Sequence, residues 1–428
     1  MIPSILSRQL RQGVSDFLKT TFPVSTPFFH GVVDRLLDAE GEVFKGPYLT
    51  IQLPFEQGDT GPDYFPDVPM RYPPYRHQEQ AFERLGGKTP RSTLVATGTG
   101  SGKTECFLYP ILDYCYQHRG DPGIKALLIY PMNALATDQA GRIAQTIFDN
   151  PNLKGNITAG LYVGQKENEP QMVMSREGII TNKDTLRLRP PDILLTNYKM
   201  LDYLLIRPKD FPLWQNNAPD TLRYLVVDEL HTFDGAQGTD LACLLRRLKA
   251  RLGTPEHHLC CVGTSATLGT SEEQDALLGY AEEVFGEPFD RDAIIHETRI
   301  SAGAFLDKSP ITRIDLPPIE KAGQLDPQAH ADYRAYVIAQ HALWFGAHNP
   351  EAEFETTGWR IELSEHLRGQ LFFQNLLKIL GGHIRDYHEI ISSLARVTPG
   401  LKEANPEYII KLLDSMLTPG LHGPYRTP

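Results

Sequence analysis

The stretch ATGTGSGKT at residues 96–104 decides the fold of this chain. It follows an apolar run, STLVAT (92–97), and leads into an amphipathic segment, GKTECFLYPILDYC (102–115), so it connects a predicted strand to a predicted helix. Its glycines allow backbone angles that other residues avoid, and the helix dipole favours an anion where the helix begins. A glycine-rich turn in this position predicts a phosphate-binding loop.

The residues of this loop have separate expected roles. Backbone N–H groups would surround the phosphates, the Lys103 side chain would reach the β- and γ-phosphates, and the Thr104 hydroxyl would bind Mg²⁺. The loop departs from the standard phosphate-loop pattern at Thr97, where the pattern asks for glycine. The predicted nucleotide-binding residues of the loop are Thr97, Gly98, Thr99, Gly100, Ser101, Gly102, Lys103 and Thr104.

Short apolar runs alternate with amphipathic segments over residues 71–300. The runs lie at 92–97, 126–131, 157–164, 192–197, 223–229 and 259–265. Two segments between them, 133–148 and 239–252, have helical spacing. Near-continuous apolar strands separated by helices are typical of a parallel sheet covered on both faces. We therefore predict an α/β fold for residues 71–300, a doubly wound domain built on a parallel sheet.

The two ends of the chain have other patterns. Residues 1–70 are rich in proline, which restrains itself and its predecessor, and they predict an irregular N-terminal accessory region. Residues 301–428 show helical periodicity and weak strand signals, and they predict a mostly helical accessory region. The last stretch, TPGLHGPYRTP (418–428), is predicted to be a coil.

The composition argues against several classes of protein. The 428 residues contain no run of 18 or more apolar residues, so no membrane-spanning helix is predicted. The five cysteines lack paired CxxC spacing, which argues against a zinc site or a disulfide framework and favours buried thiols in a reducing cytoplasm. The formal net charge of −11 argues against overall attraction to nucleic acid but allows a local basic groove.

Two acids follow the apolar run at residues 224–227. Ligands of a parallel sheet bind at the carboxyl ends of its strands, which places Asp228 and Glu229 near the phosphate loop. Asp228 is expected to hold Mg²⁺, directly or through water, and Glu229 to orient and deprotonate an attacking water. An isolated acid pair would more often be a solvated turn, but the neighbouring strand and phosphate loop favour the catalytic interpretation.

Five segments resemble motifs I, Ia, Ib, II and III of superfamily 2 helicases, in the same order. They are ATGTGSGKT (96–104), YPMNALATDQ (130–139), LLTNYKML (194–201), DELH (228–231) and TSATLG (264–269). Thr97 then stands where these helicases usually carry alanine. The resemblance covers roughly residues 70–300 and implies a RecA-like P-loop NTPase lobe that uses ATP and Mg²⁺.

A longer segment, DELHTFDGAQGTDLACLLRRL (228–248), resembles the Lhr-like and MrfA-like bacterial helicases, which act on DNA in repair and in anti-phage defence. YRHQEQAF (75–82) is similar to the stretch around the Q motif. There Gln78 would hydrogen-bond adenine and favour ATP over GTP, with Gln80 as the alternative. The resemblance also implies that His231, Ser265 and Thr267 couple the nucleotide site to a strand-binding groove.

Contacts to the backbone of one nucleic-acid strand are implied by the same resemblance. The residues are Asn133, Ala134, Gly164, Thr196 and Asn197. Small side chains, hydroxyls and backbone N–H groups suit phosphate contacts that do not read sequence. For each of these residues on its own, an ordinary turn after a strand is an equal alternative.

One expected feature is missing from the sequence. A superfamily 2 motor has a second RecA-like lobe with a motif such as Q-x-x-G-R-x-x-R, and nothing similar follows Thr267. Because an arginine finger accelerates hydrolysis by on the order of 10³–10⁵, we expect this chain alone to bind ATP and hydrolyse it poorly. The second lobe would belong to a longer form of the chain or to a partner subunit.

Two functions are therefore expected. The first is the N-terminal ATP-binding part of an ATP-dependent DNA helicase or translocase, acting on a single strand or duplex junction. The second is an ATP- and DNA-binding scaffold module in a multi-subunit defence complex, with other defence proteins as partners. Lys103, Asp228 and Glu229 favour the first function, and the missing second-lobe motif favours the second.

Overall fold

The computed structural model describes residues 3–23, 26–29, 31–39, 43–164, 169–265, 271–346 and 357–417. In these ranges the strands are β1 (Tyr48–Leu49), β2 (Thr93–Ala96), β3 (Ala126–Tyr130), β4 (Ala159–Tyr162), β5 (Ile193–Asn197), β6 (Tyr224–Val227), β7 (Cys260–Ser265), β8 (Ile294–His296) and β9 (Arg385–Asp386). The α-helices are α1 (Pro3–Thr21), α2 (Val32–Asp38), α3 (Arg76–Leu85), α4 (Lys103–Gln117), α5 (Asn133–Asp149), α6 (Lys183–Leu188), α7 (Tyr198–Ile206), α8 (Gly235–Leu252), α9 (Ser271–Phe285), α10 (Ala302–Leu306), α11 (Tyr333–Phe345), α12 (Thr357–Gly369), α13 (Leu371–Leu380), α14 (Tyr387–Val397) and α15 (Pro406–Met416). The chain divides into a sheet unit, residues 55–298, and a helical unit, residues 1–54 with 299–428.

A seven-stranded parallel sheet forms the centre of the sheet unit. Its strand order is β4-β5-β3-β6-β7-β2-β8, and every neighbouring pair is parallel. All residues of β2, β3, β4, β6 and β7 are buried, as expected when helices cover both faces of a sheet. The predicted α/β fold with a parallel sheet is confirmed, and the carboxyl ends of the seven strands share one edge.

Two hydrophobic clusters pack on opposite faces of this sheet. Leu128 of β3 belongs to one cluster, together with Phe107 of α4. Its neighbour Leu127 belongs to the other, together with Leu204 of α7 and Leu245 of α8. Successive side chains of a strand point to opposite faces, so each strand contributes to both clusters. The sheet edge is therefore positioned by packing from two helical layers.

The helical unit draws on two separate parts of the chain. β1 pairs antiparallel with β9, and Tyr48 lies opposite Asp386. Leu53 packs in one cluster with Phe372 of α13 and Leu412 of α15. Within the described ranges, none of the helices has both the length and the hydrophobicity needed to cross a membrane.

The unit boundaries differ from the three consecutive regions expected from the sequence. Residues 43–54 lie in the helical unit, whereas residues 55–70 lie in the sheet unit. Phe65 packs edge-on against Phe82 of α3, with ring centroids 5.2 Å apart. Hydrophobic contacts between distant parts of the sequence decide both placements, and a proline-rich segment without periodicity does not indicate such contacts.

A fully buried carboxylate links the segments around β4. Asp210 accepts hydrogen bonds from Tyr162 Oη at 2.6 Å and from Arg187 Nε at 2.8 Å. It also forms an ion pair with Arg207 at 2.6 Å. Burial alone would raise the pKa of Asp210, but hydrogen bonds from Tyr162 and Arg187 and the nearby arginine charges outweigh it and lower that pKa. The folded state therefore stabilises the charged carboxylate.

We expect Asp210→Ala to lower the free energy of unfolding by about 3–5 kcal/mol, because removing one member of a buried ion pair leaves the other charges uncompensated. Urea denaturation at pH 7 measures this change. The matched control is Asp184→Ala, which removes an exposed ion pair with the same Arg187 and should cost about 0–1 kcal/mol.

The pH dependence gives a second check on Asp210. Its folded-state pKa is lowered, so its contribution to stability is complete above the unfolded value of about 3.9. That contribution is lost as the pH falls through the folded-state pKa. Asp210→Ala should therefore flatten this part of the stability profile. Equal effects of Asp210→Ala and Asp184→Ala on stability would contradict the proposed role of the buried carboxylate.

Candidate functional site

The phosphate loop connects β2 to α4 at the shared edge of the sheet. Its backbone is left-handed at Gly100 (φ 81°) and at Gly102 (φ 79°), a conformation that glycine adopts without steric cost. Lys103 is the first residue of α4. The loop therefore lies at a helix N-terminus, where unpaired N–H groups and the helix dipole favour an anion.

Hydroxyl groups fix the first half of the loop. Thr97 is fully buried, and its Oγ1 lies 2.7 Å from Ser101 Oγ. Ser101 Oγ in turn donates to the Gly98 carbonyl oxygen at 2.8 Å. A glycine at position 97 would lack the first of these contacts, so Thr97 adds a side-chain restraint to the loop. Thr99 and Gly100 are exposed at its tip, where a ligand can approach.

Two further residues contact the loop, and sequence reasoning missed both. Glu297, which follows β8, accepts a hydrogen bond from the Gly98 N–H at 2.7 Å. His77 Nε2 lies 2.8 Å from the Ser101 carbonyl oxygen. In the sequence, Glu297 is marked as a candidate only by its position after a strand. Its contact with the loop depends on the pairing of β8 with β2, which are distant in sequence. The Gly98 N–H is therefore bound within the protein by the Glu297 carboxylate.

The amide of Gln78 makes two hydrogen bonds within the protein. Its Oε1 accepts from the Tyr75 N–H at 2.9 Å, and its Nε2 donates to the Gly102 carbonyl oxygen at 3.3 Å. In this structure Gln78 therefore braces the phosphate loop, and a contact with adenine would require it to exchange these bonds. Gln80, the alternative adenine ligand, is half-buried on the same helix.

An aromatic cluster adjoins Gln78. The Phe55 ring centroid lies 5.1 Å from that of Tyr75 and 5.5 Å from that of His77. Tyr75 and His77 are stacked with an interplanar angle of 15°. Sequence reasoning assigned no role to Phe55, because its segment has no periodic pattern. The three rings pack against one another and support the start of α3 beside the phosphate loop.

Asp228 and Glu229 follow β6 beside the phosphate loop. Lys103 Nζ lies 3.2 Å from Glu229 Oε1. Thr264 of the neighbouring strand β7 donates to Asp228 Oδ1 at 2.5 Å and accepts from the Glu229 N–H at 2.9 Å. Glu229 has a left-handed backbone, with φ 51°, which is costly for a residue other than glycine. Thr264, which sequence reasoning did not single out, therefore orients both acids.

The electrostatics of Asp228 suit a bound cation. Burial raises its pKa, the Thr264 hydrogen bond opposes this, and the neighbouring Glu229 charge raises the pKa further. Thr104, in the first turn of α4, donates from its hydroxyl to Gln139 Oε1 at 3.2 Å. Mg²⁺ prefers carboxylate and other oxygen ligands and usually shares them with substrate phosphates. The Asp228 carboxylate and the Thr104 hydroxyl are oxygen ligands of the type that Mg²⁺ prefers.

His231 connects the acid pair to the end of β7. Its Nδ1 lies 3.5 Å from Glu229 Oε2 and 3.2 Å from Ser265 Oγ. The structure thus brings together two of the three residues expected to couple the sites. The third, Thr267, lies outside the described residues.

The candidate strand-contacting residues lie at the ends of β3, β4 and β5, on the same sheet edge. Asn197 Nδ2 donates to Asn133 Oδ1 at 2.6 Å, which joins the segments after β5 and β3. Thr196 is fully buried, and its hydroxyl donates to the last carbonyl of β4 at 2.7 Å. Ala134 and Gly164 are exposed. The hydroxyl of Thr196 is thus used internally, whereas Ala134 and Gly164 are open to a ligand.

A parallel sheet with a phosphate loop after one strand and an acid pair after another defines a RecA-like P-loop NTPase lobe. Residues 75–276 match the DEAD/DEAH box helicase family. Residues 75–276 therefore form a DEAD/DEAH box helicase domain, which confirms the resemblance of the sequence motifs to superfamily 2 helicases.

Similar proteins are considerably longer than this chain. The Druantia protein DruE of Escherichia coli (strain UMEA 4076-1) is 29% identical, over 50% of this chain and 17% of its own length. The uncharacterized ATP-dependent helicase YprA of Bacillus subtilis (strain 168) is 31% identical, over 50% of this chain and 25% of its own. The crystal structure of the DUF1998 helicase MrfA bound to DNA and AMPPNP is 24% identical, covers 57% of this chain and 32% of its own, and has a TM-score of 0.43.

We expect Gly102→Ala to weaken ATP binding by about two- to threefold more than Gly100→Ala, equivalent to about 0.4–0.7 kcal/mol. Both glycines have positive φ, so both substitutions strain the backbone. A Cβ at Gly102 would lie 2.3 Å from Gln78 Nε2, whereas a Cβ at Gly100 has no neighbour within 4 Å. Anisotropy titration with a fluorescent ATP analogue measures the difference, and equal losses in the two variants would refute the bracing contact.

Proposed function

We propose that this chain is the ATP-binding part of a DNA helicase or translocase driven by ATP hydrolysis. One observation carries the proposal: the two sets of candidate residues share one edge of one sheet. Lys103, Asp228 and Glu229 follow β2 and β6, and Asn133 and Asn197 lie at the ends of β3 and β5. Because the nucleotide site and the strand-contacting surface lie on one packed sheet, binding of a ligand at one can change the affinity at the other.

ATP with Mg²⁺ would supply the phosphoryl group whose transfer to water releases energy. Lys103 would leave its ion pair with Glu229 to contact the phosphates. Glu229, still held through its N–H by Thr264, would then be free to orient and deprotonate the attacking water. Thr104 and Asp228 would hold Mg²⁺, and Ser265 with His231 would connect Glu229 to the end of β7.

Adenine recognition is proposed for Gln78, with the faces of Phe55 and Tyr75 beside it. We expect Gln78→Ala to reduce the preference for ATP over GTP by about tenfold, equivalent to about 1.4 kcal/mol, because the amide can pair with the edge of adenine. Competition of each nucleotide against a labelled ATP analogue measures the preference. Gln80→Ala is the matched control, and loss of the preference in that variant alone would assign adenine recognition to Gln80.

We further propose that a second RecA-like lobe, in a longer form of the chain or in a partner subunit, completes the ATP site. Within the described part of the chain, no arginine forms an ion pair with Asp228 or Glu229. An arginine finger contributes on the order of 10³–10⁵ to the rate of phosphoryl transfer. This chain alone would then bind ATP in the common micromolar to millimolar range and hydrolyse it slowly.

We expect addition of the second lobe to produce ATP turnover that single-stranded DNA stimulates. In that completed protein, Glu229→Gln should lower kcat by about 10²–10⁴-fold and preserve ATP binding, because it removes the general base. Glu256→Gln, at an exposed acid, is the control and should leave kcat unchanged. A phosphate-release assay measures turnover. Fast hydrolysis by the chain alone would contradict the need for a second lobe, and turnover that ignores DNA would contradict a motor.

The biological process is proposed to be DNA repair or anti-phage defence, in the cytoplasm. The resemblance of residues 228–248 to helicases that act in these processes supports this proposal. The second candidate is a scaffold module that holds ATP and DNA for partner proteins of a defence complex. Tight binding of ATP and DNA by the completed protein without turnover would favour this second candidate.

A further inference from the structure

A basic groove lies on the helical unit, between β9, α13 and α14. It consists of two adjoining hollows of about 510 and 350 Å³, which share Arg385, Ser393 and Arg396. The first hollow is also lined by His388, Glu389 and Ser392, and the second by Lys378, Ile379 and Val397. We call this surface the α14 groove.

The cations of the α14 groove are available to a ligand. Lys378, Arg385 and Arg396 are exposed, and within the described ranges none of them forms an ion pair. By contrast, Arg247 and Lys249 of α8 are paired with acids. The whole chain has a net charge of −11, so three cations without acidic partners in one groove are a local exception. Such an exception is the electrostatic signature of an anionic partner.

The other lining residues favour a phosphate backbone over nucleobases or a small apolar ligand. Glu389 is the one acid among the lining residues, and Ser393 adds a hydroxyl donor. The lining includes no Phe, Tyr or Trp, so it lacks a large aromatic platform for bases. Cations and hydroxyls without such a platform suit contacts to phosphates that do not read sequence. The spread of the cations over two open hollows suits a repeated anion.

We propose that the α14 groove binds the phosphate backbone of single-stranded DNA. The inference rests on the proposed helicase function, which makes DNA the polyanion that this chain holds. It adds a DNA contact on the helical unit to the contacts proposed for the sheet edge. No base is read at this contact, so it contributes affinity and salt dependence without sequence preference.

The test measures binding of fluorescent oligo(dT) to the full chain. Fluorescence anisotropy gives the binding constant at each of several salt concentrations. Arg385→Glu combined with Arg396→Glu should weaken binding at least about tenfold at low salt. The slope of log K against log salt should fall in magnitude by about 1.4, because each phosphate contact on a single strand contributes about 0.7. The matched control, Lys308→Glu combined with Lys321→Glu, makes the same charge change at exposed positions outside the groove and should bind like the wild type.

Further arms separate the possible failures. The milder double variant, Arg385→Gln with Arg396→Gln, removes both charges without reversing them and replaces the charge-reversed variant if that variant does not fold. This milder variant should also weaken DNA binding, and it should still bind ATP. If the groove variants match the control while Asn133→Ala with Asn197→Ala weakens DNA binding, the groove inference fails and the proposed function stands. If the wild-type chain binds no DNA, the groove inference fails, whereas the proposed function is decided by DNA-stimulated turnover of the completed protein. Normal DNA binding with lost binding to poly-glutamate would overturn the inference and assign the groove to an acidic protein segment.

Discussion

The parallel pairing of β6 with β7 is the constraint on which the candidate site depends. Val227 lies opposite Gly263 in this pair, so Thr264, the next residue along β7, meets the two acids that follow β6. A slip of one residue would turn the Thr264 side chain to the other face of the sheet. The position of Glu229 relative to Lys103 therefore follows from main-chain hydrogen bonds, which are insensitive to most changes on the protein surface.

The parts that sequence could predict are those with a local pattern. The apolar strands and the loop at residues 96–104 follow from periods and glycine spacing within short windows. Helices interleaved with buried strands restrict the topology to a parallel sheet, which brings the loop and residues 228–229 to one edge. The family resemblance added candidate roles for Gln78 and His231, and the structure places both side chains within hydrogen-bonding or ion-pair reach of this edge.

The parts that sequence could not predict depend on contacts between distant segments. Glu297 contacts the phosphate loop only because β8 joins the sheet beside β2. The amide of Gln78, expected to face a base, is instead bound to the loop carbonyl of Gly102 and to a backbone N–H of its own helix start. Thr264 begins the segment that resembles motif III, but its contacts with both acids follow from the pairing of β7 with β6. In each case the partner residue is distant in sequence and close only in the folded structure. Local periodicity in the sequence therefore does not predict the contact.

The pairing of β1 with β9 has a consequence for synthesis of the protein on the ribosome. Tyr48 emerges early, but its partner Asp386 is made only after the whole sheet unit has been translated. The sheet unit can complete its core once residue 298 is available, since domains commonly fold as units during translation. The helical unit must wait, with its first strand unpaired, until the loop of intervening chain is closed. A domain inserted between the two halves of another thus imposes an order of assembly, with the nucleotide-binding lobe first.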